Sequence, residues 1–290
     1  MSKEAAKTGS GTTMMVAIEQ NFPKEVRIIE DDLAYRILTP GVKFWVILTR
    51  IRGIRDWMVR AGEKQAPGIW SGMMCRKLYI DGKLAKMAPD IEAVVNLGAG
   101  FDTRVYRLPA LSGMSAWEVD QPGNIRDKQA RLLKIFGSVP KNVKLVPVDF
   151  DTEDLTTVLA SHSYSPYKKT FFIFEAVTQY LTEEGIRATF DFLAKAACGS
   201  RLAFTYVRRD FIEGKNMYNS EKIYQRFIEK DPPIWLFGLD PEEWPGFLKE
   251  YGWKVVEDIG YGKLHKRYVR KTGRKLGYME LERMLYAKKV

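Results

Sequence analysis

The chain is poor in the residues that build metal centres and covalent cross-links. Its 290 residues include two cysteines, Cys75 and Cys198, and two histidines, His162 and His265. Two cysteines cannot form a disulfide framework, and no Cys/His cluster has the spacing of metal ligands. We therefore expect a reducing compartment and no metal site. Neither histidine lies in a catalytic pattern.

Long apolar runs are also lacking. The longest unbroken run in the N-terminal region, residues 44–48, falls far short of the roughly 20 residues that a membrane-spanning helix needs. The opening segment MSKEAAKTGSGTT does not contain the apolar core of a signal peptide. The sequence predicts a cytoplasmic protein without a transmembrane segment.

Hydrophobic residues are plentiful, and basic charge is concentrated near the end of the chain. Hydrophobic residues make up 46% of the chain, enough for one sizeable core or one core with an insert. The formal charge is +10, and residues 261–290 contain ten Lys or Arg against Glu280 and Glu282. Such a cluster attracts phosphates or an acidic partner, although a solvated surface is the commoner case. A nucleic-acid partner is therefore possible but not favoured.

The first part of the chain, residues 1–90, has the pattern of helices and is predicted to form an N-terminal cap. Between residues 43 and 60, apolar side chains recur at helical spacing and basic side chains lie mostly off that stripe. The stripe consists of Phe44, Ile47, Leu48, Ile51, Ile54 and Met58. Packing on the core is the favoured interpretation. Covering a pocket, or meeting a membrane or a partner, are the alternatives.

From residue 91 onward, short apolar strands alternate with helices. Strands are predicted at residues 93–97, 115–119, 144–148, 170–174, 201–207, 254–258 and 281–287, with helices at about 124–136 and 182–197. A further helix is predicted to start at Asp240-Pro241-Glu242-Glu243, with Asp240 as its cap. Alternation of this kind predicts a doubly wound α/β fold with a mostly parallel sheet. Residues 91–290 would form this core, with a helical lid insert over residues 208–245.

Four successive strand ends carry residues suited to a ligand. In doubly wound sheets, ligands bind at the carboxyl ends of the strands. Gly98-Ala99-Gly100 follows the first strand and lets backbone approach a ligand closely. Asp120 ends the second strand and can accept ribose hydroxyls, while Asp149 and Phe150 offer an acceptor and an apolar surface to adenine. With Glu175 at the end of the fourth strand, these residues predict an adenosine-bearing cofactor.

A dinucleotide is a less suitable ligand than other adenosine cofactors. Dinucleotide sites favour a third glycine or alanine where this chain has Thr103, and they place pyrophosphate at the helix N-terminus. Asp102 follows the turn directly, and an acid there is badly placed beside a pyrophosphate. Asp102 can instead pair with Arg104 inside the loop, which is as good an interpretation as ligand contact.

The segment VVNLGAGFDTR, residues 94–104, followed by Tyr106-Arg107-Leu108, resembles the leading motif of the leucine carboxyl methyltransferase family. The segment EVDQP, residues 118–122, is similar to the family's second motif, and Glu175 with Tyr180-Leu181 is similar to the fourth-strand motif. The resemblance covers most of the chain. It implies a class I methyltransferase fold and S-adenosyl-L-methionine as the cofactor.

The resemblance also implies roles for individual residues. Arg76 would pair with the methionine carboxylate, Glu175 with the methionine ammonium group, and Asp120 with the ribose. The cofactor-binding residues predicted in this way are Arg76, Gly98, Ala99, Gly100, Asp120, Gln121, Asp149, Phe150, Glu175 and Ala176, the last standing where relatives often have glycine.

The predicted reaction is O-methylation of a small-molecule carboxylate or hydroxyl. A carboxylate is already ionised at neutral pH and needs no general base, and the sequence indicates no catalytic residue. An RNA-modifying enzyme, a protein carboxyl methyltransferase and a non-catalytic sensor of the cofactor are the alternatives. A nicotinamide-dependent oxidoreductase is the least favoured of them.

Overall fold

A seven-stranded sheet organises the chain in the computed structural model, which describes residues 9–150 and 152–290. The strands are β1 Ala93–Leu97, β2 Ser115–Asp120, β3 Val143–Pro147, β4 Thr170–Phe174, β5 Arg201–Val207, β6 Trp253–Gly260 and β7 Glu282–Lys289. Their order is β3-β2-β1-β4-β5-β7-β6, and β7 is antiparallel to both of its neighbours. The strand order reverses between β1 and β4, which is where doubly wound sheets bind ligands.

Thirteen α-helices accompany this sheet in the described part of the chain. They are α1 Gly9–Glu19, α2 Asp32–Arg36, α3 Pro40–Leu48, α4 Arg52–Gln65, α5 Ile69–Met87, α6 Arg104–Arg107, α7 Pro122–Phe136, α8 Leu155–Ser161, α9 Glu183–Ala194, α10 Arg209–Ile212, α11 Glu221–Phe227, α12 Trp244–Glu250 and α13 Tyr261–Tyr268. The fold is the predicted doubly wound, mostly parallel α/β sheet. All seven predicted strands are present, and the last two are longer than predicted because β6 and β7 pair as an antiparallel ribbon.

Side chains of the central strands are buried on both faces of the sheet and alternate between two cores. Val94 and Phe171 pack with α1, α5 and α13 on one face. Val95 and Phe172 pack with α8, α9 and α12 on the other face. The N-terminal helices therefore share a hydrophobic core with the sheet, and a separate cap over residues 1–90 stays a prediction.

The apolar stripe between residues 43 and 60 does not form one helix packed on the core, contrary to the prediction. Thr49 ends α3 by donating its hydroxyl hydrogen to the Val46 carbonyl at 2.6 Å, and the Asn21 amide donates to the same carbonyl at 2.8 Å. A second helix, α4, begins three residues later. Phe44 and Ile51 are 57% and 59% exposed, so these members of the stripe do not pack on the core.

The helix predicted to start at Asp240 begins instead at Trp244. Residues 240–243 form a turn in which the Asp240 carbonyl accepts from the Glu243 amide at 3.0 Å. The Glu243 carboxylate accepts from the Asp240 amide at 2.9 Å. Asp240 therefore belongs to this turn and does not cap the helix. Pro245 takes the first-turn position that proline favours in helices.

The predicted insert packs as a cluster of its own beside the sheet. Phe211, Ile223 and Trp235 form a buried group with Val207 of β5 and Leu281, which precedes β7. Trp235 stacks on Phe227, with ring centroids 4.7 Å apart. This places α11 and Trp235 near the carboxyl end of the sheet. Among the residues described, no helix has both the length and the apolar character needed to cross a bilayer.

Candidate functional site

A cavity of about 610 Å³ lies at the carboxyl ends of β1, β2 and β4. Seven of the ten predicted cofactor-binding residues line it, namely Arg76, Gly98, Ala99, Gly100, Asp120, Glu175 and Ala176. The fold thus brings together one residue from α5 and six from three strand ends. The other three, Gln121, Asp149 and Phe150, lie outside this lining, and Phe150 is buried in the core beside β3. The binding roles of all ten stay predictions.

The turn after β1 leaves open space in front of its backbone. Gly98 has φ +73°, and a Cβ there would stand 2.2 Å from Cγ2 of Val177. No side chain fits at this position without moving Val177. Gly100 has φ +43°, and nothing lies within 4 Å of the place its Cβ would take. The first glycine allows close packing under the turn, and the second faces space that a ligand can fill.

Asp120 holds this turn in place. Its Oδ2 accepts from the Gly100 amide at 2.6 Å, and its Oδ1 accepts from the Gln121 amide at 2.7 Å and the Asn124 side-chain amide at 2.8 Å. Three donors occupy most of the roughly four acceptor positions of a carboxylate. One ribose hydroxyl can therefore bind directly. Binding of both hydroxyls requires a donor to move, and Asn124 is the one on a side chain.

A buried charge network centres on Glu175. Arg76 Nε lies 2.8 Å from Glu175 Oε1, and Arg104 Nη2 lies 2.6 Å from Oε2. Lys77 Nζ lies 3.9 Å from the same carboxylate. Burial raises the pKa of Glu175, but the three cations outweigh it and lower this pKa to about 2. Glu175 is therefore ionised at any physiological pH.

The internal pair of Asp102 and Arg104, one of two predicted interpretations, is present. Arg104 is fully buried, and its guanidinium contacts Asp102 and lies 2.7 Å from Asp81 on α5. Burial raises the pKa of Asp102, but Arg104 and Lys77 lower it well below its usual range. The pair ties the loop after β1 to α5, while Asp102 also lines the cavity.

This polar end of the cavity fits the amino-acid part of S-adenosyl-L-methionine. Within this network, Arg76 and Glu175 form a pair at 2.8 Å whose one cation and one anion a bound zwitterion can match. An ammonium group suits Glu175 and a carboxylate suits Arg76. The open backbone at Gly100 and the carboxylate of Asp120 suit the ribose. Sequence reasoning missed Lys77, Asn96 and Asn124, although Asn124 stands one helical turn after Asp120.

The opposite end of the same cavity is apolar. Five methionines contribute to it, namely Met14, Met15, Met58, Met73 and Met279, together with Ile18, Ile69, Trp70, Tyr180, Phe227 and Trp235. They come from α1, α4, α5, the turn after β4, the insert and the segment before β7. Methionine side chains are flexible and adapt to ligands of different shape. No sequence pattern links these residues, which is why sequence reasoning assigned none of the methionines to the site.

Two buried polar atoms stand among these apolar residues. Gln179 Oε1 and Trp235 Nε1 have no hydrogen-bond partner within the described ranges, and their residues are 3% and 9% exposed. An unpaired buried donor or acceptor is costly, and a ligand can satisfy both. The cationic side chains of Lys222 and Arg226 also line this end. Nothing in the sequence assigned a role to Gln179.

Comparison with known proteins places these features in one family. A family model described as leucine carboxyl methyltransferase matches residues 10–194. A protein of Mycolicibacterium gilvum, provisionally named an S-adenosyl-L-methionine-dependent methyltransferase, is 31% identical over 66% of this chain and 64% of its own length. A protein of Mycolicibacterium smegmatis with a similar name is 28% identical over 87% of this chain and 83% of its own length.

Solved structures agree on the fold. A methyltransferase structure from Thermobifida fusca, assigned provisionally, has a TM-score of 0.59 at 13% identity and covers 81% of this chain and 88% of its own. A protein of the duf574 family from Streptomyces avermitilis has a TM-score of 0.57 at 13% identity, with 95% and 97% covered. This chain belongs to the leucine carboxyl methyltransferase family and is an S-adenosyl-L-methionine-dependent methyltransferase.

Proposed function

We propose that the enzyme transfers a methyl group to an oxygen of an apolar small molecule, most favourably to a carboxylate. The observation that carries this proposal is the cavity itself, which joins the charged end at Glu175 to the methionine-lined apolar end without an intervening wall. A cofactor bound by Asp120 and Glu175 would leave the apolar end for the acceptor. Apolar pockets with a few polar groups are typical of small-molecule sites.

A carboxylate acceptor suits the side chains at the apolar end. The residues lining the cavity include no histidine among those described, and a carboxylate is ionised at neutral pH without help from a base. Trp235 Nε1 can donate a hydrogen bond to it. Lys222 and Arg226 supply positive charge that favours an anionic acceptor.

When bound, S-adenosyl-L-methionine supplies an electrophilic methyl group for an in-line displacement. The chain's own contribution is to bind, orient and exclude water. Asp120 and Glu175 would fix the cofactor, and the apolar wall of Met73 and Trp70 would keep the acceptor in a dry environment. Correct orientation of two reactants can lower the barrier by roughly 7–11 kcal/mol, so positioning suffices as the main source of catalysis.

The proposal is tested in two stages. Calorimetric titration with S-adenosyl-L-methionine, with NADH as the comparison, should show selective binding of the sulfonium compound. Labelled methyl transfer is then measured with matched acceptors of equal chain length, an alkyl carboxylic acid and the corresponding alcohol. Faster transfer to the acid, with label released by mild base, supports the proposal. Equal or faster transfer to the alcohol contradicts the carboxylate preference, and transfer to neither contradicts the apolar acceptor.

A further inference from the structure

The α3–α4 hairpin exposes large apolar side chains that the cofactor site does not use. We call these five the hairpin surface: Phe44, Trp45, Ile47, Ile51 and Trp57, each between 42% and 63% exposed. Single exposed apolar residues are ordinary, but five within fourteen residues, two of them tryptophans, are not. Such a group on a soluble domain marks a contact site.

Positive charge surrounds the hairpin surface. Arg50, Arg52, Arg60 and Lys64 are exposed on the same two helices and their connection. The acids of this region are Asp56 and Glu63. Glu63 is engaged in capping the start of α5, where it accepts from the Gly68 and Trp70 amides at 3.0 Å each. The exposed charge of the hairpin is therefore mainly positive.

A second basic region adjoins the hairpin. Residues 263–275 contain no Asp or Glu. Their exposed cations, which we call the basic segment, are Lys263, Lys266, Arg267, Arg270, Lys271 and Lys275. Arg274 of this region lies 3.8 Å from the centroid of the Phe22 ring, and Arg55 of α4 lies 4.3 Å from it. The two regions, far apart in sequence, therefore meet at Phe22.

We propose that the hairpin surface and the basic segment together dock the protein on an anionic lipid bilayer. Tryptophan and aliphatic side chains enter the interface between headgroups and acyl chains, and lysine and arginine beside them are attracted by anionic headgroups. The hairpin itself carries both components, since the exposed Arg50, Arg52, Arg60 and Lys64 accompany its apolar side chains. The chain would lie on the bilayer rather than cross it.

Charge and chemistry favour lipid over other occupants. Nucleic acid would pair with the basic segment but has no use for exposed Ile47 and Ile51. A second copy of the chain would place two positive surfaces face to face across a two-fold axis, and like charges there oppose association. An anionic bilayer is complementary to both the apolar and the cationic components.

Helix α4 lies between the docking surface and the apolar end of the cavity. On α4, Met58, Gly62 and Gln65 line the cavity, whereas Trp57, Arg60 and Lys64 are exposed. At 100° per residue the centres of these two faces lie about 130° apart, so α4 forms a wall between the cavity and the exposed surface. Docking would place the apolar end one helix away from the lipid, so that an acceptor dissolved in the membrane has a short path to it. This last step rests on the proposed function, whereas docking itself does not.

The test uses the full chain and vesicles of phosphatidylcholine, with or without about 30 mol% phosphatidylglycerol. We expect sedimentation with the anionic vesicles only, weakening as salt is raised from about 0.1 to 0.5 M. Tryptophan emission should shift to shorter wavelength on binding. Trp45→Ser/Trp57→Ser should lower binding by at least about tenfold and abolish the shift. Lys271→Glu/Lys275→Glu should lower binding about as much.

Matched controls lie away from this surface. Tyr167→Ser removes an aromatic side chain that is 90% exposed at the amino end of β4. Lys249→Glu/Lys254→Glu reverses two exposed lysines on α12 and β6. Both controls should bind vesicles like the wild type. Affinity for S-adenosyl-L-methionine should be equal in every variant, which separates a failure of docking from a failure of the cofactor site.

Three results would overturn the proposal. The first is absence of binding to anionic vesicles by a chain that binds the cofactor. A second is binding that the tryptophan variant leaves unchanged, since charge alone, as in RNA binding, would then suffice. The third is a wild-type dimer in analytical ultracentrifugation that Trp45→Ser/Trp57→Ser converts to a monomer, because the surface would then be a self-interface.

Discussion

The two ends of the cavity are built in different ways. At the polar end, strand ends and α5 hold charges in pairs, such as Arg76 with Glu175 at 2.8 Å, and the pairs fix one another. The apolar end is assembled mainly from α1, α4, α5 and the insert, and its methionines have flexible side chains. The difference suits a protein that must bind one invariant cofactor rigidly and accommodate an acceptor adaptably. If the two ends are separable, a change at one end should leave the function of the other unchanged.

The largest effect is expected from Glu175→Gln. This change leaves Arg76 and Arg104 buried without their shared anion, and breaking a buried pair costs about 3–5 kcal/mol of unfolding free energy. Urea unfolding measures it. Glu250→Gln, at an exposed contact with Arg187, is the control and should change the unfolding free energy by less than about 0.5 kcal/mol. Equal effects of the two variants would show that the network does not stabilise the fold.

The next effect concerns Asp120→Ala. The substitution removes the acceptor that holds the Gly100 amide and a predicted partner of the ribose, so affinity for S-adenosyl-L-methionine should fall about ten- to a hundredfold. Calorimetric titration measures the affinity, and circular dichroism should show an intact fold. Asp127→Ala, at an exposed position of α7, is the matched control. Unchanged affinity in Asp120→Ala would remove this residue from the site.

A smaller effect is expected at the apolar end from Met58→Ala. Loss of apolar contact should raise KM for an apolar acceptor severalfold while the affinity for S-adenosyl-L-methionine stays unchanged. When Met58→Ala is combined with Asp120→Ala, the two losses of binding free energy should add to within about 0.5 kcal/mol. Distant sites without shared partners do not couple. A stronger coupling would mean that the two ends act as one unit.

The smallest effect is that of pH on cofactor affinity. The pKa of Glu175 is lowered to about 2 from the usual 4.5, so its charge stabilises the fold fully above about pH 4.5 and this stabilisation is lost as pH falls towards 2. Between pH 7 and about pH 5, Glu175 stays ionised and the amino group of S-adenosyl-L-methionine stays protonated. The affinity for S-adenosyl-L-methionine should therefore change by less than about twofold over this range. Titration at several pH values measures this.

A steep loss of affinity within this range would contradict that expectation. It would point to a different carboxylate, and Glu282 is the one in the lining whose pKa is raised, chiefly by burial. Glu282 lies 3.7 Å from Arg76, so its protonation would change the charge balance around Glu175. Glu282→Gln would then remove the pH dependence, which distinguishes the two carboxylates.

The sheet was predictable because its signals are local. Apolar runs such as residues 171–174, ended by Glu175, specify buried parallel strands. Thr182 caps α9 by accepting from the Gly185 amide at 3.2 Å. The stripe from Phe44 to Met58 misled for the same reason. Its spacing is helical, but local spacing cannot show that the Thr49 hydroxyl and the distant Asn21 amide bind the Val46 carbonyl where the helix ends.

The site was predictable at one end and not at the other. Gly98, Asp120 and Glu175 follow strands, and parallel strands bring their carboxyl ends to one edge of the sheet. Met14, Met279 and Gln179 come from segments that have no regular relation in sequence, so their meeting depends on how the helices pack. The partners of Arg104, including Asp81 twenty-three residues earlier, are likewise set by packing.

By itself, the sequence determined the alternation of strands and helices, the glycine turn with its acids at the strand ends, and through them the cofactor and the family. These are properties of short segments, fixed by periodicity and by the few residues that tolerate a tight turn. The tertiary structure decided which charges neutralise one another, which apolar residues wall the cavity, and which are left on the surface. Those outcomes depend on contacts between distant segments, which burial and packing settle only when the whole chain has folded.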